Sequence, residues 1–409
     1  MATTYPTATV TEKTAPGTKK RLDVIDILRG FALFGILMVN ITFFASPIYE
    51  FGGTSATYNF ADRFVAWLIT FGFESKFYVL FSFLFGYGLA IQLVSAATRG
   101  EPLGPRYGRR LLGLLFFGIL HAVFFFVGDI LVTYVLLGIV LWFVRNWEPR
   151  RLVWMAFTLM GAAVLGRIVF TAGIGIMSSP EAMNQTMQLA EQARQNYLGT
   201  FAQATGQRIQ DLGMFYVFAV LAQWPTALAM FALGLAAGKI GFFKDLAQYL
   251  PTMRRWLPWA LALGIIGNGA YASLLNSQEA FLPAATLMAL ETIAAPALTF
   301  SYVFGIVWIV QHPRFGSWLN PLRAAGRMSL TNYLSQAIVC SFLFNGWGLG
   351  WYGSVGPFGC FLIVVALFAV QVWLSNWWMR HFRYGPAEWV LRSWTYLQWP
   401  PLQTKKIEA

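Results

Sequence analysis

His121 and Asp129 are the residues of this sequence whose types and spacing point most directly to chemistry. Both interrupt apolar segments, where ionisable side chains are costly and usually functional. An imidazole titrates near neutrality and accepts a proton from an alcohol or amine, and a neighbouring carboxylate orients and stabilises the ring. Two structural roles compete with this one: an interhelical hydrogen bond for His121, and a helix N-cap for Asp129 after Gly128.

Four more polar residues lie at the same predicted depth: Asn40, Glu74, Lys76 and Tyr134. We expect them to face one chamber in the outer half of the bundle, together with the histidine and its carboxylate. Asn40 either stabilises an oxyanion or forms an interhelical hydrogen bond. Glu74 and Lys76 either form an ion pair that closes the chamber or reach from the interface to water.

Charged residues also open two apolar segments at the opposite, inner end: Asp26, Arg29, Arg109 and Arg110. Such arginines bind phosphates, as in a nucleotide-like donor, or anchor the chain at the cytoplasmic face. No glycine-rich phosphate loop, metal-spaced histidine pair or nucleophile elbow occurs in the sequence, so we expect no metal.

A polar motif near the C-terminal end of the chain includes Arg327, Thr331, Asn332 and Gln336. It is unusually polar for the start of an apolar helix, and Gln336 extends its polar face by one turn. The alternative is helix packing through Ser and Thr.

Composition places these residues on membrane helices. Of 409 residues, 57% are hydrophobic and 11% are charged, against roughly 25% charged in soluble domains. The fold class is therefore an all-α, polytopic bundle of about ten transmembrane helices, and 17 Trp residues suit a membrane-interface belt. The predicted apolar segments are 25–45, 74–97, 109–127, 129–146, 152–176, 212–238, 256–274, 283–311, 325–345 and 356–379.

The basic residues alternate between the loops, which predicts an inner-membrane protein with both termini in the cytoplasm. The net charge of +12 is dispersed among short loops, so we expect a lipid bilayer and no nucleic acid as partner. Residues 1–20 are a predicted disordered tail, 21–395 one transmembrane domain and 396–409 a cytoplasmic tail. Within the domain, 177–211 is an outer amphipathic segment. Residues 57–72 are interfacial or a short span, and the two charges Asp62 and Arg63 favour the interface.

Several segments resemble the YeiB-like bacterial membrane proteins, a family of unknown function. The similar segments are 22–30 (LDVIDILRG), 76–86, 118–121 (GILH), 128–131 (GDIL), 326–333 (GRMSLTNY) and 385–389 (GPAEW), the last containing Glu388 and followed by Arg392. The resemblance covers nearly the whole chain.

The first half of that family is also similar to the transmembrane acyltransferases, which include heparan-alpha-glucosaminide N-acetyltransferase and the acyltransferase-3 proteins. This resemblance implies transfer of an acyl group from cytoplasmic acyl-CoA to an acceptor across the membrane. Asn40 follows Arg29 by eleven positions, where acyltransferase-3 proteins carry a catalytic histidine. The heparan enzyme has Asn there and a histidine in the next loop, where this chain has none. Either His121 or Glu50 acts as the base, or acyl chemistry has been lost.

Three functions remain open from sequence. The first is an acyltransferase whose acceptor is a small molecule, sugar or lipid. The second is a small-molecule permease that uses the same buried polar residues. The third is a non-catalytic membrane scaffold. The oligomeric state is open, a homodimer being one alternative.

Overall fold

The computed structural model describes residues 16–48, 58–176, 179–275 and 281–403. These residues form fifteen α-helices: α1 Pro16–Ala45, α2 Phe60–Gly72, α3 Lys76–Arg99, α4 Gly104–Phe124, α5 Leu131–Phe143, α6 Pro149–Ile176, α7 Pro180–Tyr197, α8 Phe201–Phe218, α9 Trp224–Lys239, α10 Leu246–Leu275, α11 Phe281–Gln311, α12 Asn320–Arg327, α13 Ser329–Phe344, α14 Pro357–His381 and α15 Pro386–Tyr396.

The all-α, multi-pass prediction is confirmed. Within the described residues, eight helical stretches are long and apolar enough to cross a membrane. They match eight of the ten predicted segments. The other two form α5, with 13 residues, and α13, with 16, both shorter than the roughly 20 residues that a straight crossing needs. The count of ten transmembrane helices and the cytoplasmic position of both termini stay predictions.

Within the predicted segment 57–72, Phe60–Gly72 form a separate helix, α2, joined to α3 by a sharp turn in which Ser75 has a φ of 64°. Asn59 caps α2 by accepting a hydrogen bond from the Asp62 amide. The Asp62 carboxylate in turn accepts a hydrogen bond from the Phe358 amide, at 3.0 Å, at the start of α14. Its charge is therefore used to join two helices, and the interfacial position of α2 stays a prediction.

The predicted outer and terminal segments contain helices and tertiary contacts. Residues 177–211 contain α7 and most of α8, and α8 continues into α9 through a π-helical turn at Ala219–Gln223. Helix α1 begins inside the predicted N-terminal tail. Part of the predicted C-terminal tail packs on the bundle, since the Arg383 backbone amide donates a hydrogen bond to the Leu402 carbonyl at 2.9 Å. Residues 1–15 and 404–409 lie outside the described residues.

Two glycines let α3 and α9 approach until their backbones touch. A Cβ atom at Gly86 would overlap the Phe231 carbonyl oxygen, and one at Gly234 would overlap the Phe83 carbonyl oxygen. Small residues commonly allow such close helix contacts in membranes. This contact fixes the depth of α3, and with it the position of Lys76 at its first turn.

Replacing Gly234 by Ala should lower the free energy of unfolding by about 1–3 kcal/mol, because the added methyl group forces α3 and α9 apart. Gly305→Ala is the matched control, since nothing lies within 4 Å of a Cβ at that helical position. Both changes bring the same gain in helix propensity, so the difference reports packing. Thermal unfolding of the purified protein in detergent measures it. Equal midpoints for the two variants would show that the close contact does not form.

Candidate functional site

His121 and Asp129 form a buried hydrogen-bonded pair at the junction between α4 and α5. The His121 Nδ1 atom lies 2.8 Å from Asp129 Oδ1, and both side chains are at most 1% exposed. The other carboxylate oxygen, Oδ2, accepts a hydrogen bond from the Val132 amide at 2.8 Å. Asp129 therefore orients the imidazole and caps α5 at once, so the two roles weighed from sequence coexist.

Local sequence explains why the two helices meet there. A Cβ at Gly118 would lie 3.0 Å from atoms of Leu131 and Val132, so the glycine lets α4 and α5 pack closely. Arg208 of α8 donates a hydrogen bond to the Phe124 carbonyl at 2.8 Å and satisfies the last turn of α4. The histidine thus stands at a helix end that is fixed from two sides.

The imidazole lines a narrow pocket between α1, α4 and α13. Its wall includes Asn40, His121, Tyr333 and Gln336, and the space between these side chains is too tight for a water-sized sphere. Among the described residues, no group forms a hydrogen bond with the buried His121 Nε2 atom. If Nδ1 carries the proton that Asp129 accepts, Nε2 is left with a free lone pair, which is the arrangement of a general base.

The structure therefore brings together three of the predicted catalytic residues, namely His121, Asp129 and Asn40. Gln336, predicted as part of the C-terminal motif, joins them. Tyr333 was not proposed as a site residue, although it lies in the same motif. Its ring contacts His121 with the centroids 4.6 Å apart, and its hydroxyl accepts a hydrogen bond from the Ile130 amide at 3.3 Å.

The single outer chamber predicted from sequence is wrong, because Glu74, Lys76 and Tyr134 do not line this pocket. The Tyr134 hydroxyl instead binds Ser82 at 2.8 Å and donates to the Tyr78 carbonyl at 3.1 Å. Equal depth on several helices does not decide which way each side chain points. Glu50, the alternative base, lies outside the described residues.

Lys76 belongs to a second buried cluster, formed with Arg167 and Glu291. Glu291 Oε2 lies 2.6 Å from Arg167 NH1, and its Oε1 lies 3.8 Å from Lys76 Nζ. The Lys76 and Glu291 side chains are both 0% exposed. Lys76 also donates to the Thr70 carbonyl at 2.9 Å, and Glu74 accepts a hydrogen bond from Tyr271 at 3.3 Å. The Glu291 carboxylate thus faces both cations inside the bundle.

Sequence reasoning missed Arg167 and Glu291, although the signal was present. Both are charged residues inside predicted apolar segments, and the rule that singled out His121 applies equally to them. The predicted ion pair of Lys76 with Glu74 does not occur among the described residues. The carboxylate in ion-pair range of Lys76 is that of Glu291, on α11.

At the predicted inner end, only part of the proposed donor site comes together. Arg29 lies 3.4 Å from Asp26, and the Arg110 charge acts on the Arg29 charge through space. Arg109 is committed elsewhere, since its Nε atom donates to the Thr395 carbonyl of α15 at 2.9 Å. Arg29 and Arg110 therefore remain candidates for phosphate binding, whereas Arg109 positions α15.

The rest of the C-terminal motif joins helices. Glu388 accepts hydrogen bonds from the Leu330 amide at 2.6 Å and from the Thr331 hydroxyl at 2.6 Å, and so caps α13. Asn332 donates to the Ala325 carbonyl at 3.1 Å, and Arg327 donates to the Arg383 carbonyl at 3.1 Å. These contacts agree with the packing alternative.

No group of three or more His, Cys, Asp or Glu residues that could hold a metal occurs in the part of the chain described.

Comparison with known proteins adds the family. Residues 237–398 match the family described as "Protein of unknown function (DUF418)". The chain is 35% identical over 409 residues to "Uncharacterized protein YxaH" of Bacillus subtilis (strain 168), covering 95% of this chain and 97% of the relative. It is 30% identical over 396 residues to "Uncharacterized protein YeiB" of Escherichia coli (strain K12), covering 91% and 95%. No solved structure matches the chain.

Fold and site together define a polytopic α-helical membrane protein with a buried histidine–carboxylate pair and a separate buried ion-pair cluster. Because these bacterial relatives match the chain over nearly their whole length, the chain belongs to the YeiB-like DUF418 family.

Glu291→Ala should lower the free energy of unfolding by about 3–5 kcal/mol, because it leaves Lys76 and Arg167 as unpaired buried cations. Glu101→Ala is the control, since its ion pair with Arg106 is solvent-exposed and should contribute only about 0–1 kcal/mol. Thermal unfolding in detergent measures both. Equal losses would mean that the buried cluster carries no special stability.

Glu388 should make stability depend on pH. Burial raises the pKa of the Glu388 carboxyl above its ordinary value of 4.5, while the bonds from Thr331 and Leu330 oppose the rise. The native state then binds more protons than the unfolded chain above pH 4.5, so the carboxyl's contribution to stability falls as pH rises from 4.5 through the raised native pKa. Unfolding midpoints of the wild type and Glu388→Gln between about pH 4 and about pH 8 should therefore diverge. Parallel profiles would contradict the shift.

Proposed function

We propose that the protein is an acyltransferase of the bacterial inner membrane, which moves an acyl group from cytoplasmic acyl-CoA to an acceptor hydroxyl or amine. The observation that carries the proposal is the buried His121–Asp129 pair, whose Nε2 atom has no hydrogen-bond partner among the described residues. A buried imidazole without a second partner is costly as a purely structural feature. It suits a group that waits for a substrate proton.

Each residue has a defined role in the transfer. His121 Nε2 takes the proton of the acceptor hydroxyl as its oxygen attacks the thioester carbon. Asn40, across the same pocket, donates a hydrogen bond from its side-chain amide to the oxyanion that forms. The carbon–sulfur bond then breaks, and the leaving thiolate takes the proton from the imidazolium. Asp129 stabilises that imidazolium and keeps Nδ1 protonated throughout.

Arg29 and Arg110 would hold the phosphates of the donor. Arg29 precedes Asn40 on α1 by eleven residues, which is roughly 16 Å along a helix. A flexible arm between the phosphates and the thioester must bridge that length. The carboxylate of Asp26 beside Arg29 lowers the local positive charge, so Arg110 supplies the stronger anion attraction.

The ion-pair cluster supports a second candidate, a small-molecule transporter. Charged side chains that are buried in a membrane bundle commonly mark substrate or proton paths, and Lys76, Arg167 and Glu291 are all buried. A transporter would move an unmodified solute across proteoliposomes in response to a pH gradient, with flux that depends on Glu291. An acyltransferase would instead release coenzyme A.

His121→Ala should lower the rate of coenzyme A release from radiolabelled acetyl-CoA by about 10²–10⁴-fold, because the general base is lost. Asp129→Asn should lower it by up to about 10⁴-fold, since the amide still caps α5 but favours the wrong imidazole tautomer. The assay uses purified protein with an envelope extract as the source of acceptor. His312→Ala is the matched control, because that histidine lies partly exposed beyond α11 and lines no part of the His121 pocket. Absence of both coenzyme A release and donor binding in the wild type would refute the proposal.

A further inference from the structure

A second cavity is lined by residues distant in sequence from those of the His121 pocket, and its lining is apolar. It forms a groove of about 480 Å³ between α10 and α11, within the range of ligand sites. Its lining is aromatic and aliphatic and includes Trp256, Trp259, Leu263 and Phe300. Trp256 is 59% exposed and Trp259 is 71% exposed, so the groove opens on the outer surface of the bundle. Helix α10 contains a candidate membrane span, so that surface faces lipid.

The groove follows one face of α10. Its α10 residues run from Tyr249 to Leu263 at spacings of three and four and thus occupy one helix face. The part from Trp256 to Leu263 extends roughly 10 Å, about two thirds of one leaflet of the roughly 30 Å hydrocarbon core. This part has room for the section of a single acyl chain nearest the headgroup.

Arg255 provides a charge at the edge of the groove. It follows Thr252 by three residues and precedes Trp259 by four, so its Cβ lies beside the same helix face. Arg254, its neighbour, is two residues from Thr252 and from Trp256 and points away from that face. Both arginines are exposed. Arg255 therefore flanks the groove about midway along its α10 face, next to Trp256 and Trp259. Arginine and tryptophan at one level of a membrane helix match the boundary between headgroups and acyl chains.

We propose that this groove binds one acyl chain of an anionic glycerophospholipid from the surrounding bilayer, with the lipid phosphate on Arg255. The apolar lining excludes a polar solute, and its open side faces the bilayer, from which a lipid can enter laterally. The cationic edge favours an anionic over a zwitterionic headgroup. The site is independent of the His121 pocket and of the proposed acyl transfer.

Native mass spectrometry of the purified full chain tests the charge. The probes are palmitoyl-oleoyl phosphatidylglycerol and phosphatidylcholine, which share their acyl chains. The wild type should retain phosphatidylglycerol in preference to phosphatidylcholine, and Arg255→Gln should reduce that preference about fivefold. Arg254→Gln, the matched control, should change it less than twofold. Equal retention of the two lipids by the wild type, or equal effects of the two substitutions, would overturn the proposal.

A groove-filling pair tests the chain. Ala260→Phe places a ring in the groove and should lower retention of both lipids severalfold. Ala262→Phe adds the same ring at an exposed position of α10 outside the lining and should not. As a second measurement that needs no variant, dioctanoyl phosphatidylglycerol should be lost from the wild type before the long-chain lipid. If lipid retention changes neither with Ala260→Phe nor with the length of the acyl chains, the groove does not bind an acyl chain.

Discussion

Each ionisable side chain inside this bundle has to find its counter-charge or hydrogen-bond partner within the protein, because hydrocarbon offers none. The structure meets this constraint in two places. Asp129 accepts from His121 and from the Val132 amide, and Glu291 lies between Arg167 and Lys76. The remaining architecture brings these partners together from helices that are distant in sequence.

The two clusters differ in what compensates the atoms that lack a hydrogen bond. In the ion-pair cluster Arg167 Nε and Glu291 Oε1 form no hydrogen bond with the described residues, but the Glu291 carboxylate lies within 4 Å of both cations. In the His121 pocket the Nε2 atom has no hydrogen-bond partner among the described residues, and the contact with Asp129 is made by the other ring nitrogen. The first arrangement favours rigidity, since breaking it exposes a buried charge. The second leaves a lone pair that a substrate proton can satisfy.

The sequence predicted the helical membrane fold and the His121–Asp129 pair, because apolar length and a short turn between two helices are local properties. Eight residues separate the histidine from its carboxylate, and the hairpin between α4 and α5 brings them together. The position of Lys76 was not predictable in this way. Its partner Glu291 is 215 positions away and reaches it only because α11 packs against α3, a contact that no local pattern encodes. The same limitation explains why Tyr134 and Glu74 were placed in the wrong chamber.

The closed pocket places a condition on any chemistry at His121. A space too tight for water cannot hold an acyl group, so a wall has to move when a substrate enters. The α1 wall is fixed near Gly30, because Gly30 and Gly326 bring α1 and α12 into backbone contact. Gln336 is held by Gln371 of α14 at 2.9 Å. Phe126 lies in the loop between α4 and α5, where it stacks on Phe44 with the centroids 4.5 Å apart. Of these pocket walls, Phe126 alone belongs to a loop and not to a helix, so a shift of that loop opens the pocket next to the imidazole without moving a helix.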